Sequence, residues 1–296
     1  MKILITGGSG LLGQYLNIIL SESDSILTLY NSNAGNCKLY NSEKVDLKDN
    51  KKLKDIFILF KPDIVVHTAA ISRPELCDSL PREFVFDINV RSTCMFAELC
   101  EAHNAKLIFT STDLVYDGDS GQMLEEGSGI NPVSLYAQTK LHSENEISSI
   151  FDNYIILRTS LLFGMGLNHS VNNFHQMLVN FRNNKPVRLF HDQYRTPLAL
   201  SDAARLIRDL IRMEIKEIVL NFGGRERISR VQLGELLCEL GNFDRSLIES
   251  ISMSELPGLH KVADVSMNTG KLQSLGLKQK SIEESIQLLL TTFNHF

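Results

Sequence analysis

No apolar run in the sequence approaches the ~18 residues of a membrane span. No cluster of lysine and arginine stands out against a net charge of −5 and a pI near 5.9. The first absence argues against a transmembrane helix, and the second against nucleic acid as a partner. The five cysteines are odd in number and include no Cys-x-x-Cys or zinc spacing, which fits a reducing compartment better than a disulfide framework. The eight histidines include no His-Glu-x-x-His. His67, at the end of an apolar run, reads as a packed or backbone-bonded residue rather than a ligand. No metal site is therefore expected. The opening Met1-Lys2-Ile3-Leu4-Ile5 is too short for a signal h-region, so the cytoplasm is the expected location.

What is present is an ordinary globular composition. With 296 residues, 43% apolar and 22% charged, the chain can bury a sizeable core as one large domain or two intimate ones. Lys2 to Thr6 is a short β-branched run that breaks at Gly7-Gly8-Ser9-Gly10-Leu11-Leu12-Gly13 and becomes helix-periodic to Leu20. Strand, glycine turn and helix in this order point to a dinucleotide site. Gly7 and Gly10 would let the backbone approach a pyrophosphate, Gly13 would let the helix pack on the sheet, and Leu11 and Leu12 open that helix toward the phosphates. A plain tight turn is the competing reading, since the pattern is Gly-x-x-Gly-x-x-Gly rather than Gly-x-Gly-x-x-Gly.

Ile26 to Leu29 reads as a second strand. An acidic residue at its end would normally hold the ribose hydroxyls of NAD, but Tyr30-Asn31-Ser32 stands there. NADPH is preferred on that ground, with NADH as the alternative, because no arginine is present to attract a 2′-phosphate. A short strand near Lys44 and Val45 places Asp46-Leu47 within reach of an adenine. Leu53, Ile56, Phe57 and Phe60 mark a helix ended by Pro62. Asp63 to His67 is a buried strand, followed by the small Thr68-Ala69-Ala70 where a cofactor could pass. A long helix around Phe84 to His103 carries Asn89, with Cys94 and Cys100 facing the core, and Lys106 to Thr112 is the next strand. This alternation predicts an α/β fold with a doubly wound parallel Rossmann sheet. Ile155 to Ser160 is the sixth strand. Later segments are less regular: helices over Val171 to Asn184, Asp202 to Arg212, around Leu233 to Leu240 and around Ile282 to Leu290, with Val219 to Phe222 returning to the sheet. We expect residues 1–164 to form the dinucleotide-binding domain, rejoined by about 198–222, and 165–296 a smaller α/β substrate-binding cap over the strand ends.

The chemical centre is expected at Tyr136-Ala137-Gln138-Thr139-Lys140. Residues four apart share a helix face, so Lys140 can set its ammonium near the Tyr136 hydroxyl and lower a phenol pKa that is ordinarily about 10. About half a Tyr-x-x-x-Lys match is expected by chance in a chain of this composition. Tyr40 and Lys44 are such a match, in a polar stretch without helical periodicity, and read as surface. Tyr136 differs because Asn131-Pro132 and the N-cap candidate Ser134 precede it, opening a helix that can run to about Ile150.

With Gly7, Gly10 and Gly13, then Ser111-Thr112, then Tyr136 and Lys140, the sequence resembles the extended short-chain dehydrogenase/reductase family over nearly its whole length. Ser111 to Gly118, Leu157-Arg158-Thr159-Ser160, Asp192 to Pro197 and Asp264 to Thr269 are most similar to the dTDP-4-dehydrorhamnose reductase branch. The resemblance implies that Tyr136 protonates the oxygen of a 4-keto sugar nucleotide while NADPH supplies hydride. It implies that Thr112 holds the carbonyl oxygen and that Lys140 binds the nicotinamide ribose. Asn89 would complete a proton path or simply pack its helix, Ser111 would lie against the cofactor, and Ser72, Thr112, Asp113, Leu161 and Arg195 would meet the substrate. A homodimer is compatible with it. The chain departs from the branch in having Leu161 where a tryptophan is usual, with no tryptophan anywhere, and Lys261-Val262 in place of an Arg-Pro pair. Two alternatives remain open. One is an epimerase or dehydratase, although Leu114 stands where a dehydratase carries its glutamate base. The other is a non-catalytic NADP-binding regulatory subunit, like the β subunit of methionine adenosyltransferase.

Overall fold

The computed structural model describes residues 1–256 and 262–293; Lys261 lies outside the described residues. The first half alternates strand and helix: β1 (Lys2–Thr6), α1 (Leu11–Leu20), β2 (Ser25–Tyr30), β3 (Ser42–Lys44), α2 (Asn50–Phe60), β4 (Ile64–His67), α3 (Pro74–Ser79), α4 (Arg82–Phe86), α5 (Ser92–His103), β5 (Lys106–Thr112), α6 (Leu135–Ile150) and β6 (Tyr154–Thr159). Then follow β7 (Leu162–Phe163), α7 (Asn173–Arg182), β8 (Val187–Phe190), β9 (Tyr194–Arg195), β10 (Leu198–Ala199), α8 (Leu200–Ile211), β11 (Ile218–Phe222), β12 (Ile228–Ser229), α9 (Arg230–Gly241), β13 (Ile248–Ile251), α10 (Gly270–Ser274) and α11 (Ile282–Thr292).

Seven strands form one sheet in the order β11-β6-β5-β4-β1-β2-β3, and every pairing in it is parallel. The strand sequences explain this. Ile3, Leu4 and Ile5 are each 0% exposed, so both faces need cover, and a parallel sheet with helical crossovers supplies it. On one face Leu16 and Leu20 of α1 pack with Leu206 and Leu210 of α8. On the other Phe57 of α2, Phe96 of α5 and Ile147 of α6 close a second core. Burying one such side chain contributes about 1.5–3 kcal/mol. The order reverses between β1 and β4, where Thr6 sits opposite His67. A doubly wound sheet opens its ligand crevice at such a point.

The helix expected over Phe84 to His103 is interrupted. α4 and α5 are joined by a π-helical turn at Asp87–Arg91. There the Thr93 hydroxyl (2.7 Å) and the Ser143 hydroxyl of α6 (2.9 Å) both donate to the Asn89 carbonyl. Side-chain donors competing for a helical carbonyl open the turn, and no period of apolar residues could have announced it.

The later elements form two-stranded pairs, β7 with β10, β9 with β12 and β8 with β13. They surround a third core in which Phe174 and Leu178 of α7, Leu237 of α9 and Ile286 of α11 meet Phe163. β11 pairs with β6 and adds the seventh strand to the main sheet. A fourth cluster, Val115, Tyr116, Leu124, Val265 and Met267, ties the segment after β5 to the segment before α10.

Candidate active site

The glycine loop is built by close approach. Gly7 has φ +66°, and a Cβ there would lie 2.8 Å from the Ala69 amide nitrogen. A Cβ at Gly13 would lie 2.1 Å from the Gly7 carbonyl oxygen, so glycine is what lets α1 seat on the loop. At Gly10 the nearest obstruction is the Gly7 oxygen at 3.0 Å. Gly10 is also the N-cap of α1, which carries no side-chain cap and no acidic residue in its first turn. The Gly10 amide donates to the Gly7 carbonyl at 2.8 Å; the amides of the following turn have no acceptor within the helix, and a dinucleotide's pyrophosphate would suit them. Gly7 lies against Thr68 and Ala69, so two of the stretches expected to hold a cofactor are brought together. The Thr68 hydroxyl donates to the Thr6 carbonyl at 2.7 Å.

The second half of the site forms where β5 ends. Ser134 caps α6, accepting the Ala137 amide at 3.2 Å, and thereby fixes where Tyr136 and Lys140 fall on the helix. The Thr112 hydroxyl stands close enough to the Tyr136 phenol to act on it. It also donates to Asp113 at 3.3 Å and accepts the Leu114 amide at 3.2 Å. Asp113 is buried with Arg195, Nε to Oδ2 3.6 Å, and accepts from the Ser160 hydroxyl at 3.2 Å. Thr112, Asp113, Tyr136 and Arg195, drawn from segments far apart in sequence, thus occupy one place.

Lys140 is 2% exposed, with Nζ 4.0 Å from the centroid of the Phe109 ring. Burial pulls its ammonium down to about 7, against Glu144 one turn further on, which pulls it up. The expected lowering of the Tyr136 pKa by Lys140 is not found. Burial pushes the half-buried phenol above its ordinary value, and the negative charge of Asp113 adds to this, while the neighbouring Thr112 hydroxyl opposes them. The physical reason is that burial penalises the phenolate, while the Lys140 ammonium lies over Phe109 and is drawn by Glu144 instead of by the phenol.

Beyond these groups lies a polar framework that sequence reading missed. Glu144 accepts from Arg158 at Nη2 (2.8 Å) and Nε (3.2 Å) and from the Ser111 hydroxyl, and Arg158 also donates to Tyr116 Oη at 3.0 Å. Ser111 is therefore turned toward Glu144. Asn89 donates to the Thr139 hydroxyl of α6 at 3.1 Å and exchanges bonds with the Ile71 backbone, which fastens the Ile71–Ser72 segment. From Thr93 the chain of bonds continues to His67 Nε2 at 3.0 Å and from His67 Nδ1 to Thr6 at 2.6 Å. A buried network thereby joins the glycine loop's strand to the tyrosine helix. Burial and the charge of Lys140 lower the His67 pKa to about 3. No sequence signal marks Glu144 as the partner of Arg158, although Glu144 continues the four-residue spacing of Tyr136 and Lys140.

The remaining expected residues lie further out. Asn31, Asp46 and Ser72 are exposed, with Asp46 accepting the Lys48 amide at 3.0 Å. Leu47 packs at the edge of the second core, Leu11 and Leu12 belong to the first, and Leu161 packs against the third. The Leu12 side chain is buried, so only its backbone can face a ligand. Ala70 is half-buried at the end of β4. Tyr40 and Lys44 do not share a helix: Lys44 is exposed in β3, and Tyr40, expected at the surface, is half-buried against the first core. Cys100 is buried as expected and Cys94 only half-buried.

Comparison with known proteins agrees with the fold. The chain is 26% identical to the "Probable low-salt glycan biosynthesis reductase Agl14" of Haloferax volcanii, covering 100% of this chain and 99% of that one. It is also 26% identical to "Methionine adenosyltransferase 2 subunit beta" of Bos taurus, covering 95% and 84%. The fold matches a crystal structure of dTDP-4-dehydrorhamnose reductase from Bacillus anthracis in complex with NADP, with TM-score 0.85, 22% identity and coverage of 98% and 99%. The family model described as RmlD substrate binding domain matches residues 1–295, and the chain belongs to that family of extended short-chain dehydrogenase/reductases.

Proposed function

We propose that the protein reduces a 4-keto sugar nucleotide with NADPH as the hydride donor. The observation that supports this reading is that Thr112 and Tyr136 stand together beside the buried Asp113–Arg195 pair, with Lys140 buried one turn further along the same helix. The cofactor, when bound, supplies hydride chemistry that no side chain has. Gly10 and the uncapped first turn of α1 would hold its pyrophosphate, with Thr68 to Ala70 and Lys140 on the nicotinamide side. Thr112 would orient the substrate's carbonyl oxygen by a hydrogen bond. Tyr136 would give its proton to that oxygen. A phenol with a raised pKa stays protonated at neutral pH, and a developing alkoxide is more basic than a phenolate, so the transfer still runs toward the sugar. Asp113 stays paired with Arg195 and leaves the proton with Tyr136.

The choice of NADPH rests on Tyr30-Asn31-Ser32 at the end of β2, where no carboxylate would repel a 2′-phosphate. Comparing NADPH and NADH dissociation constants tests this choice alone. The test of the function is the stoichiometry of NADPH oxidation with a 4-keto-6-deoxy sugar nucleotide. One equivalent consumed per product supports a net reductase. Turnover without net consumption would mean an epimerase. The identity to methionine adenosyltransferase 2 subunit beta supports a second reading, a non-catalytic subunit that binds the dinucleotide, which NADPH binding without any turnover would favour.

A further inference from the structure

The segment between β7 and α7, residues 164–172, forms a strap that runs from the cap to the glycine loop. One side chain of α1 holds it there. Gln14 is 0% exposed. Its amide nitrogen donates to the carbonyls of Ser9 (3.1 Å) and Leu167 (2.9 Å) and to the Ser170 hydroxyl (3.1 Å). Its oxygen accepts from the Asn36 amide (3.1 Å) and from the Asn168 side chain (2.6 Å). The Ser170 hydroxyl donates in turn to the Ser9 carbonyl at 3.0 Å. Gln14 thus uses its whole hydrogen-bonding capacity on three segments: the glycine loop, the 3-10 turn Gly35–Leu39 after β2, and the strap. The next residue, Tyr15, adds a bond from its hydroxyl to the Met165 carbonyl at 2.6 Å.

The strap is anchored at its cap end as well. Gly166 lets it fold back on itself, since a Cβ there would lie 1.5 Å from the Ser170 carbonyl oxygen. The Gly166 amide donates to His175 Nδ1 at 3.1 Å, and the Asn172 side chain accepts the His175 amide at 2.7 Å, which fastens the strap to the first turn of α7. Phe174 of that turn packs on Phe163 in the third core. At the other end the Ser9–Gly10 peptide is fixed on both sides. Its carbonyl accepts from Gln14 and Ser170, and its N–H donates to the Gly7 carbonyl at 2.8 Å. A carbonyl so engaged does not turn toward a phosphate. The conformation of the glycine loop and the position of the strap are therefore made by the same bonds. Breaking them at either end leaves polar groups unpaired at the other, at a cost that both ends share.

We infer that Gln14 is a positioning residue that couples the dinucleotide at the glycine loop to the cap, so that occupancy of one tightens binding at the other. The inference deepens the proposed function and rests on it for the identity of the two ligands. Gln14 acts through Ser9 on one side and through Leu167, Asn168 and Ser170 on the other. A ligand shifts an equilibrium only by its unequal affinity for the two states. Here a dinucleotide would favour the loop whose Ser9 carbonyl is held by Gln14 and Ser170, and in that state the strap is docked. By linkage the effect is reciprocal, and a ligand seated under the cap would favour the same loop.

The test is amide hydrogen exchange on the full chain with and without saturating NADPH. In the parent, NADPH should slow exchange at residues 165–171 as well as at 7–13. In Gln14→Leu, brought to saturation with more NADPH, the slowing at 7–13 should persist and that at 165–171 should disappear. Ser170→Ala, a smaller change at a half-buried residue, should reduce the slowing at 165–171 and serves where Gln14→Leu does not fold. A residue that merely held the fold would raise exchange at the strap equally with and without NADPH, leaving the ratio of the two as in the parent. In turnover at saturating NADPH, the KM for a 4-keto-6-deoxy sugar nucleotide should rise about fivefold or more in Gln14→Leu. Its kcat should change little, because Thr112 and Tyr136 are untouched. If the strap of the parent does not respond to NADPH, or if the ratio in the folded variant equals that of the parent, the inference is overturned. Its failure is distinct from that of the reductase reading. NADPH oxidation beside an unresponsive strap keeps the reductase and removes the coupling, whereas a responsive strap without any turnover keeps the coupling and removes the reductase.

Discussion

Tyr136→Phe separates the proton from everything else the residue does. The ring and its packing remain, and the loss is confined to one hydroxyl beside Thr112. A hydroxyl's hydrogen bond is worth about 0.5–1.5 kcal/mol net. Folding stability should therefore change by no more than about 1 kcal/mol, because the same change removes a polar group from a partly desolvated place. Dinucleotide affinity should hold, since the loop at Gly7 to Gly13 is untouched. The rate should not hold. Without a positioned acid, the oxygen of the reduced sugar must take its proton from water, and the loss is about 10²- to 10⁴-fold, or about 3–5 kcal/mol in the barrier. It should fall mainly on kcat. The assay is single-turnover NADPH oxidation beside urea unfolding of the same preparation. Tyr40→Phe, at the pair that does not share a helix, should leave the rate unchanged. A Tyr136→Phe protein that is folded, binds NADPH and turns over within a factor of three of the parent would refute the assignment of the proton to this phenol.

Gly13→Ala would ordinarily stabilise a helix by about 1 kcal/mol, but the new Cβ would meet the Gly7 oxygen at 2.1 Å. Thermal unfolding should show destabilisation instead, while Gly10→Val should leave the fold intact and weaken NADPH at least tenfold by calorimetry. Glu144→Gln would leave Arg158, 5% exposed, without its carboxylate. Urea unfolding should show a loss of about 3 kcal/mol, and Arg158→Met in the same chain should restore part of it. His67 is held neutral inside, with its pKa lowered to about 3 from 6.5, so between these values the unfolded chain binds the extra proton. Stability should fall as pH drops through that window, and urea midpoints at pH 7 and pH 5 should lie closer together in His67→Gln than in the parent.

The alternation of apolar runs with amphipathic segments was legible because a parallel sheet needs strands apolar on both faces. β4 and β5 could be read directly, and so could the glycine turn before α1 and the start of α6 at Ser134. Those signals are local: a cap, a period or a turn residue acts within a few positions, and the sequence by itself determines them. The π turn at Asp87–Arg91 was not legible, because Thr93 and Ser143 open it from two different helices. The pKa of Tyr136 was not legible either. A four-residue spacing places Lys140 on the same face of the helix, but burial decides the sign of the effect, and burial is a property of the assembled fold. Glu144 meets Arg158 and Asp113 meets Arg195 only because α6, β5, β6 and β9 converge. Desolvation and charge pairing depend on such long-range neighbours, so the electrostatics of the site were decided by the tertiary structure.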